Sequence, residues 1–105
     1  MTYENTLWAV LAEPTRRAIF EQLVERPCSV GKLASGLPVS RPAVSQHLRV
    51  LKEVGLVVDS PAGKQRIYRV DPGGLAALRA ELDLFWSKTL TAYKAVVEQS
   101  EEQSQ

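Results

Sequence analysis

Two observations predict a mainly α-helical fold with a small β-hairpin. Apolar residues recur at helical spacing over most of the chain, and the pattern changes to β-type only around residues 56–70. The scale follows from length, since 105 residues make one domain. A chain of this size buries only about two-thirds of its unfolded surface, so stability is tight and oligomerisation is a natural supplement. Apolar residues make up 45% and charged residues 24%, a balance that excludes a wholly disordered chain.

The elements can be justified in order. Leu7, Trp8, Val10 and Leu11 predict a short first helix. Pro14 fits the first turn of a second, where its missing N–H costs nothing; Ile19, Phe20 and Leu23 take core-facing positions and Pro27 ends it. Ser29 is the N-cap of a third helix carrying Val30, Leu33 and Ala34, and Gly36 follows its end. After the turn Leu37-Pro38-Val39, Ser40 caps a fourth helix from about Arg41 to Val54, which Gly55 stops. Leu56 to Asp59 reads as a strand, Ser60 to Lys64 as turn chemistry, and Arg66 to Val70 as a second strand. Asp71-Pro72 opens a last helix to about Glu98, and the polar stretch 99–105 is expected to fray. The predicted organisation is therefore a single domain over 1–105. It holds N-terminal helices at 6–26, a helix-turn-helix at 29–54, a wing at 56–70, a dimerisation helix at 72–98 and a flexible tail. Two short helices joined by a tight turn and followed by a basic hairpin make a winged helix-turn-helix, with about five helices and a two-stranded wing.

Composition narrows the function. One cysteine forms no internal disulfide, which suggests a reducing compartment. No apolar run reaches the ~18 residues of a membrane span, and Met1 to Asn5 lack the basic and apolar regions of a signal peptide, so a cytoplasmic, nucleoid-associated protein is expected. One His, one Cys and no Gly-rich phosphate loop leave no acid–base or nucleophile set, so no enzyme and no cofactor are expected. The net charge of +1 conceals an uneven distribution. Residues 32–69 hold seven bases against Glu53 and Asp59, a local +5 between two mildly acidic ends. A basic middle segment is the electrostatic footprint of a polyanion binder.

The wheel of the fourth helix supports that reading. Val44, Leu48 and Leu51 share a stripe, widened by Ala43, Val50 and Val54, while Pro42, Ser45, Gln46, Arg49 and Lys52 face the other way. Small polar side chains permit close approach to base edges. Gln46 can pair bidentately with adenine and Arg41 with guanine, whereas Arg49 and Lys52 suit phosphates.

The ordered segments Ala12-Glu13-Pro14-Thr15-Arg16-Arg17-Ala18-Ile19, Leu37 to Lys52, Gly55-Leu56-Val57 and Gly63 to Val70 resemble the ArsR family of bacterial winged-helix transcription regulators over about residues 6–98. The resemblance implies a homodimer on an imperfect palindromic double-stranded DNA operator near a promoter, usually as a repressor. It places the base-facing positions on Arg41, Pro42, Ser45 and Gln46, with Val30 approaching from the preceding helix, and wing contacts on Lys64 and Arg66. Lys32, Ser40, His47, Arg49, Lys52 and Gln65 complete the expected phosphate and wing set; for His47 a partly packed position is the other reading. A solvated or salt-bridged surface is expected for Arg16 and Arg17 rather than a DNA contact.

Many members of that family bind metal through two cysteines in the third helix. The matching positions here hold Ser29 and Gly31, and the last helix has no His for the alternative zinc site, so no metal is expected. An unknown small-molecule effector stays open. So does a redox- or metal-responsive role for Cys28, and a winged-helix protein–protein module is the other alternative.

The last helix carries two apolar stripes, Leu75, Leu78, Leu82 and Phe85 on one side and Trp86, Leu90, Tyr93 and Val97 on the other. So small a domain covers one of them. The expected dimer interface is Leu7, Trp8 and Leu11 with Leu82, Phe85, Trp86, Leu90, Tyr93 and Val97, and Phe85-Trp86 as its anchor.

Overall fold

The computed structural model describes residues 6–103. Met1–Asn5, on which the leader reading rests, and residues 104–105 lie outside the described residues. The elements run α1 (Leu7–Val10), α2 (Pro14–Glu25), β1 (Cys28–Ser29), α3 (Val30–Ser35), α4 (Arg41–Glu53), β2 (Val57–Ala62), β3 (Gln65–Val70) and α5 (Pro72–Gln103). This is a mainly helical winged helix-turn-helix.

Capping sets the helix starts. Thr6 Oγ1 accepts from the Ala9 N–H at 3.1 Å, Ser29 Oγ from Lys32 at 3.2 Å, and Ser40 Oγ from Ala43 at 3.3 Å. Glu13 caps α2 through its carboxylate, which accepts the Arg16 N–H at 2.6 Å, with Pro14 just behind it. Gly55, at φ +83°, takes the left-handed conformation that ends α4 and turns the chain into the wing.

The wing differs from the expected hairpin in two ways. First, it is one part of a three-stranded antiparallel sheet in the order β1-β3-β2, because Cys28 pairs with Tyr68 and Ser29 with Ile67. A two-residue strand has no periodicity to read. Second, Ser60, Pro61 and Ala62 belong to β2 rather than to the turn, which shrinks to Gly63-Lys64. β2 is an edge strand, where Pro61 loses no ladder bond it needs.

The core lies where α2, α3, α4 and the base of the wing meet. Ile19, Leu33, Val44, Leu48, Leu51, Leu56 and Val57 are fully buried in it. Leu11 is also buried there, which corrects its assignment to a dimer interface; Leu7 and Leu82 are half-buried against the same core.

The last helix is longer than expected. The stretch 99–103 is helical, since Glu and Gln are good helix formers and no Gly or Pro follows Gly74. Its 32 residues span roughly 48 Å at 1.5 Å each. That accounts for the 71 × 27 × 26 Å extents and for a radius of gyration of 18.7 Å, against about 13 Å for a compact chain of this size. Two contacts seat its first turns. The Glu81 carboxylate accepts the Leu7 N–H at 3.0 Å and the Trp8 N–H at 2.9 Å, which ties the start of α1 to α5. Gly74 lies so close to Gly55 that a Cβ there would sit 2.0 Å from the Gly55 carbonyl oxygen. The glycine that weakens the helix start is what lets α5 cross the end of α4.

Candidate nucleic-acid interface

α4 presents its two faces as its wheel requires. Val44, Leu48 and Leu51 are buried, while Arg41, Pro42, Ser45, Gln46, Arg49 and Lys52 are exposed. The Arg41 guanidinium lies over Gly31 of α3, where a Cβ would fall 2.8 Å from Arg41 Nη2. Residue 31 thus leaves room for the arginine at the start of α4. A cleft of about 240 Å³ opens beside it, lined by Ser29, Val30, Gly31, Arg41, Gln65, Arg66 and Tyr68. α4, α3 and β3 therefore meet on one side of the molecule. Lys64 and Gln65 are exposed at the tip of the hairpin.

Several expected contacts are placed differently. Val30 is half-buried against the core, which limits its reach to a base. His47 is half-buried between α4 and α2: its Nδ1 is buried without a hydrogen-bond partner, 3.7 Å from Glu13 Oε2, which limits its reach to a phosphate. Arg49 is exposed and makes an i,i+4 pair with Glu53 at 3.7 Å. Arg16 Nη1 donates to the Val10 carbonyl at 3.0 Å, and Arg17 pairs with Glu21 at 3.2 Å. Lys32, Arg41 and Lys64 have no acidic partner among the described residues.

The largest departure concerns Lys52 and Arg66. Both bind Asp59 of β2: Lys52 Nζ lies 2.9 Å from Oδ1, and Arg66 Nε 2.5 Å from Oδ2. Hydrogen bonds from Lys52 and then Arg66 hold the Asp59 carboxyl below the usual carboxylate range, and Asp59 in turn holds the Arg66 guanidinium above its ordinary value. From the sequence Asp59 counted only as one of two acids in the basic segment, and Gly31 only as a position without a thiolate. For Asp59 one signal existed, since it is the only strand acid within a segment of seven bases. The Glu13 carboxyl is also held below its usual range, chiefly by the Arg16 backbone N–H.

Cys28 is buried in the core, with Sγ 3.6 Å from the Arg26 carbonyl oxygen. A reactive thiolate needs an electropositive, partly exposed setting, so its position favours a packing role. Among the described residues no group of three or more His, Cys, Asp or Glu side chains could hold a metal ion. No helix among them is long and apolar enough to cross a membrane.

Comparison with known proteins decides the family. A family described as a helix-turn-helix domain matches residues 11–59. The chain is 58% identical over 91 residues to the HTH-type transcriptional regulator Rv2034 of Mycobacterium tuberculosis, an alignment spanning 87% of this chain and 85% of that protein. Its fold matches an ArsR-like transcriptional regulator from Rhodococcus sp. RHA1 at a TM-score of 0.68 and 32% identity, covering 86% of this chain and 88% of that one. The chain belongs to the ArsR family. It also matches the crystal structure of a possible transcriptional regulator for arsenical resistance at a TM-score of 0.71 and 52% identity, over 74% of this chain and 81% of that one. The HTH-type transcriptional repressor SmtB of Mycobacterium tuberculosis is 41% identical over 70 residues, 67% of this chain but only 52% of the repressor. As an ArsR-family winged-helix protein the chain is a DNA-binding transcriptional regulator. The relatives are regulators rather than enzymes.

Proposed function

We propose that this ArsR-family regulator is a repressor that binds a palindromic operator as a homodimer in the cytoplasm, on the nucleoid. One observation carries the DNA face: the exposed side of α4, small and polar at Pro42, Ser45 and Gln46 and basic at Arg41, lies beside the exposed wing tip of Lys64 and Gln65. In this reading Arg41, Pro42, Ser45 and Gln46 face bases, with Val30 at the margin. Lys32, Ser40, Arg49 and Lys64 meet phosphates or the adjacent groove, joined by Gln65 and by the Asp59-bound Lys52 and Arg66.

The homodimer reading is supported by α5. Phe85, Trp86, Leu90 and Tyr93 are exposed along it, together with Leu84 and Val96, which the sequence reading passed over, and Trp8 is exposed on α1. Val97 is half-buried. Phe85 and Trp86 form an edge-to-face pair with ring centroids 5.8 Å apart, a suitable interface anchor. A two-fold dimer would set two α4 helices about one DNA turn (~34 Å) apart, in successive major grooves. Bound near a promoter it would block polymerase, and any effector would act by favouring a dimer with the wrong α4 spacing.

The test uses operator duplexes selected from a random library by the wild-type protein, with a scrambled duplex of equal length. Gln46→Ala is expected to lower the ratio of selected to scrambled affinity about tenfold, as for loss of one bidentate base contact. Lys64→Ala is expected to weaken both duplexes alike and to make the salt slope shallower by about 1.8, one phosphate contact in each protomer. Wild-type behaviour from both variants would refute this DNA face.

A further inference from the structure

The Asp59 cluster does something the DNA-binding face alone does not require. Seven bases lie between Lys32 and Arg69, yet two of them converge on one carboxylate. The arrangement is asymmetric. The Asp59 side chain is 6% exposed, whereas Lys52 and Arg66 are 55% and 54% exposed. A covered anion sits between two cations that both reach solvent. The partners also come from different elements. Lys52 is in the last turn of α4, Asp59 is on β2, and Arg66 is on β3, diagonally across the ladder from Asp59, which pairs with Tyr68. One carboxylate thus joins the recognition helix to both strands of the wing.

The donor inventory shows what is left over. Asp59 uses both oxygens, one for each partner. Arg66 spends its Nε, which leaves the two terminal nitrogens of the guanidinium, and Lys52 keeps two of three N–H donors. A phosphate can therefore still be met by either side chain, but at a place that already contains a fixed negative charge. The cluster carries a net charge of one, not two.

We infer that Asp59 is a positioning residue that sets sequence discrimination: it fixes the wing to α4 and aims Lys52 and Arg66, while withholding one unit of positive charge from phosphate neutralisation. Non-specific binding is almost wholly phosphate electrostatics, whereas specific binding needs register. Removing the carboxylate charge would therefore strengthen the first and weaken the second. A simple structural brace would not do this, because a loosened wing binds all DNA less well. The inference rests on the proposed DNA face.

The experiment measures the affinity of the full chain for a library-selected duplex and for a scrambled duplex of equal length, each over a salt series. Asp59→Asn keeps the shape and removes the charge. It is expected to bind the scrambled duplex about fivefold or more tightly at 0.1 M salt, with a slope steeper by about 1.8 for one added phosphate in each protomer of the dimer. The ratio of selected to scrambled affinity is expected to fall. Asp59→Glu restores the charge, and should return the slope toward wild type. Lys52→Gln, which leaves the Asp59–Arg66 pair in place, should make the slope shallower by about 1.8, one phosphate contact in each protomer. A parallel loss of affinity for both duplexes in Asp59→Asn, or an unchanged slope, would overturn the inference and leave Asp59 as a brace. Should Asp59→Asn fail to fold, an unchanged slope in Lys52→Gln would overturn it equally. Failure of the DNA face itself reads differently, because Gln46→Ala and Lys64→Ala would then also bind both duplexes as wild type does.

Discussion

Leu48 and Leu90 carry the same side chain on two helices of one chain, yet Leu48 is 0% exposed and Leu90 58%. α4 has its apolar stripe matched within the protomer by α2, α3 and the base of the wing. α5 has such a match only near its start, where Leu78 is buried and Leu82 half-buried; from Leu84 onward its large apolar side chains stand out. The difference separates two kinds of stability. The head, formed by α2, α3, α4 and the base of the wing, is held by packing within the protomer. The outer part of α5 presents an apolar area that only another surface can cover.

Leucine truncation sharpens that contrast most strongly. Leu48→Ala is expected to destabilise the head by about 3 kcal/mol, as for a fully buried leucine whose cavity does not collapse. Chemical denaturation would measure this, and the loss should not depend on protein concentration. Leu90→Ala should leave the unfolding of the dilute protein within about 0.5 kcal/mol of wild type, as an exposed substitution does. In sedimentation equilibrium, however, it should weaken self-association by tenfold or more, on the order of an interface anchor worth above 1 kcal/mol. Equal, concentration-independent losses from the two variants would break the distinction, because α5 would then be part of a unimolecular core.

The junction between the two regions gives the next largest effect. Gly74 crosses Gly55 with no room for a Cβ, since the backbone carbonyl oxygen would lie 2.0 Å away. Backbone cannot rotate aside as a flexible side chain can. Gly74→Ala should therefore cost about 1–3 kcal/mol by overpacking, although alanine is the better helix former. A thermal melt at or above the wild-type midpoint would show that α5 shifts freely on the head.

What the sequence made legible follows the same division. Local signals were readable because each acts within a few residues. Ser29 and Ser40 cap their helices, Pro14 opens α2, Gly55 ends α4, and Val44, Leu48 and Leu51 turn inward together. Features that depend on residues far apart in the chain were not readable. β1 exists only because Cys28 and Ser29 find Tyr68 and Ile67. The need for glycine at 74 shows only once Gly55 lies beneath it. Leu11 has the pattern of an interface residue but sits in the core. Lys52 and Arg66 looked like free phosphate ligands, and His47 like a third, because no local rule brings Asp59 or Glu13 beside them. The exposed side of α4 at Pro42, Ser45 and Gln46 was legible for the opposite reason: a wheel is enough to place it outside.

Acid provides the gentlest probe of the two regions, because the lowered carboxyls belong to the head. Asp59 is held below its usual range by Lys52 and Arg66, and Glu13 by the Arg16 N–H. A carboxyl whose folded pKa is depressed contributes stability that is present above the unfolded value and is lost as pH falls through the folded one. Unfolded carboxyls titrate near pH 4, so the loss begins at about that pH and grows below it. Asp59→Asn has no such share to lose. The stability gap between wild type and Asp59→Asn should therefore be widest at neutral pH and close as the solution is acidified below about pH 4. Glu13→Gln should behave in the same way, since the amide keeps an acceptor for the Arg16 N–H but not its charge. The effect should be the smallest of the set, because Lys52 and Arg66 are half exposed and salt screens them. A gap that stayed constant from pH 7 to pH 2 would mean that Asp59 supports the head through shape rather than charge.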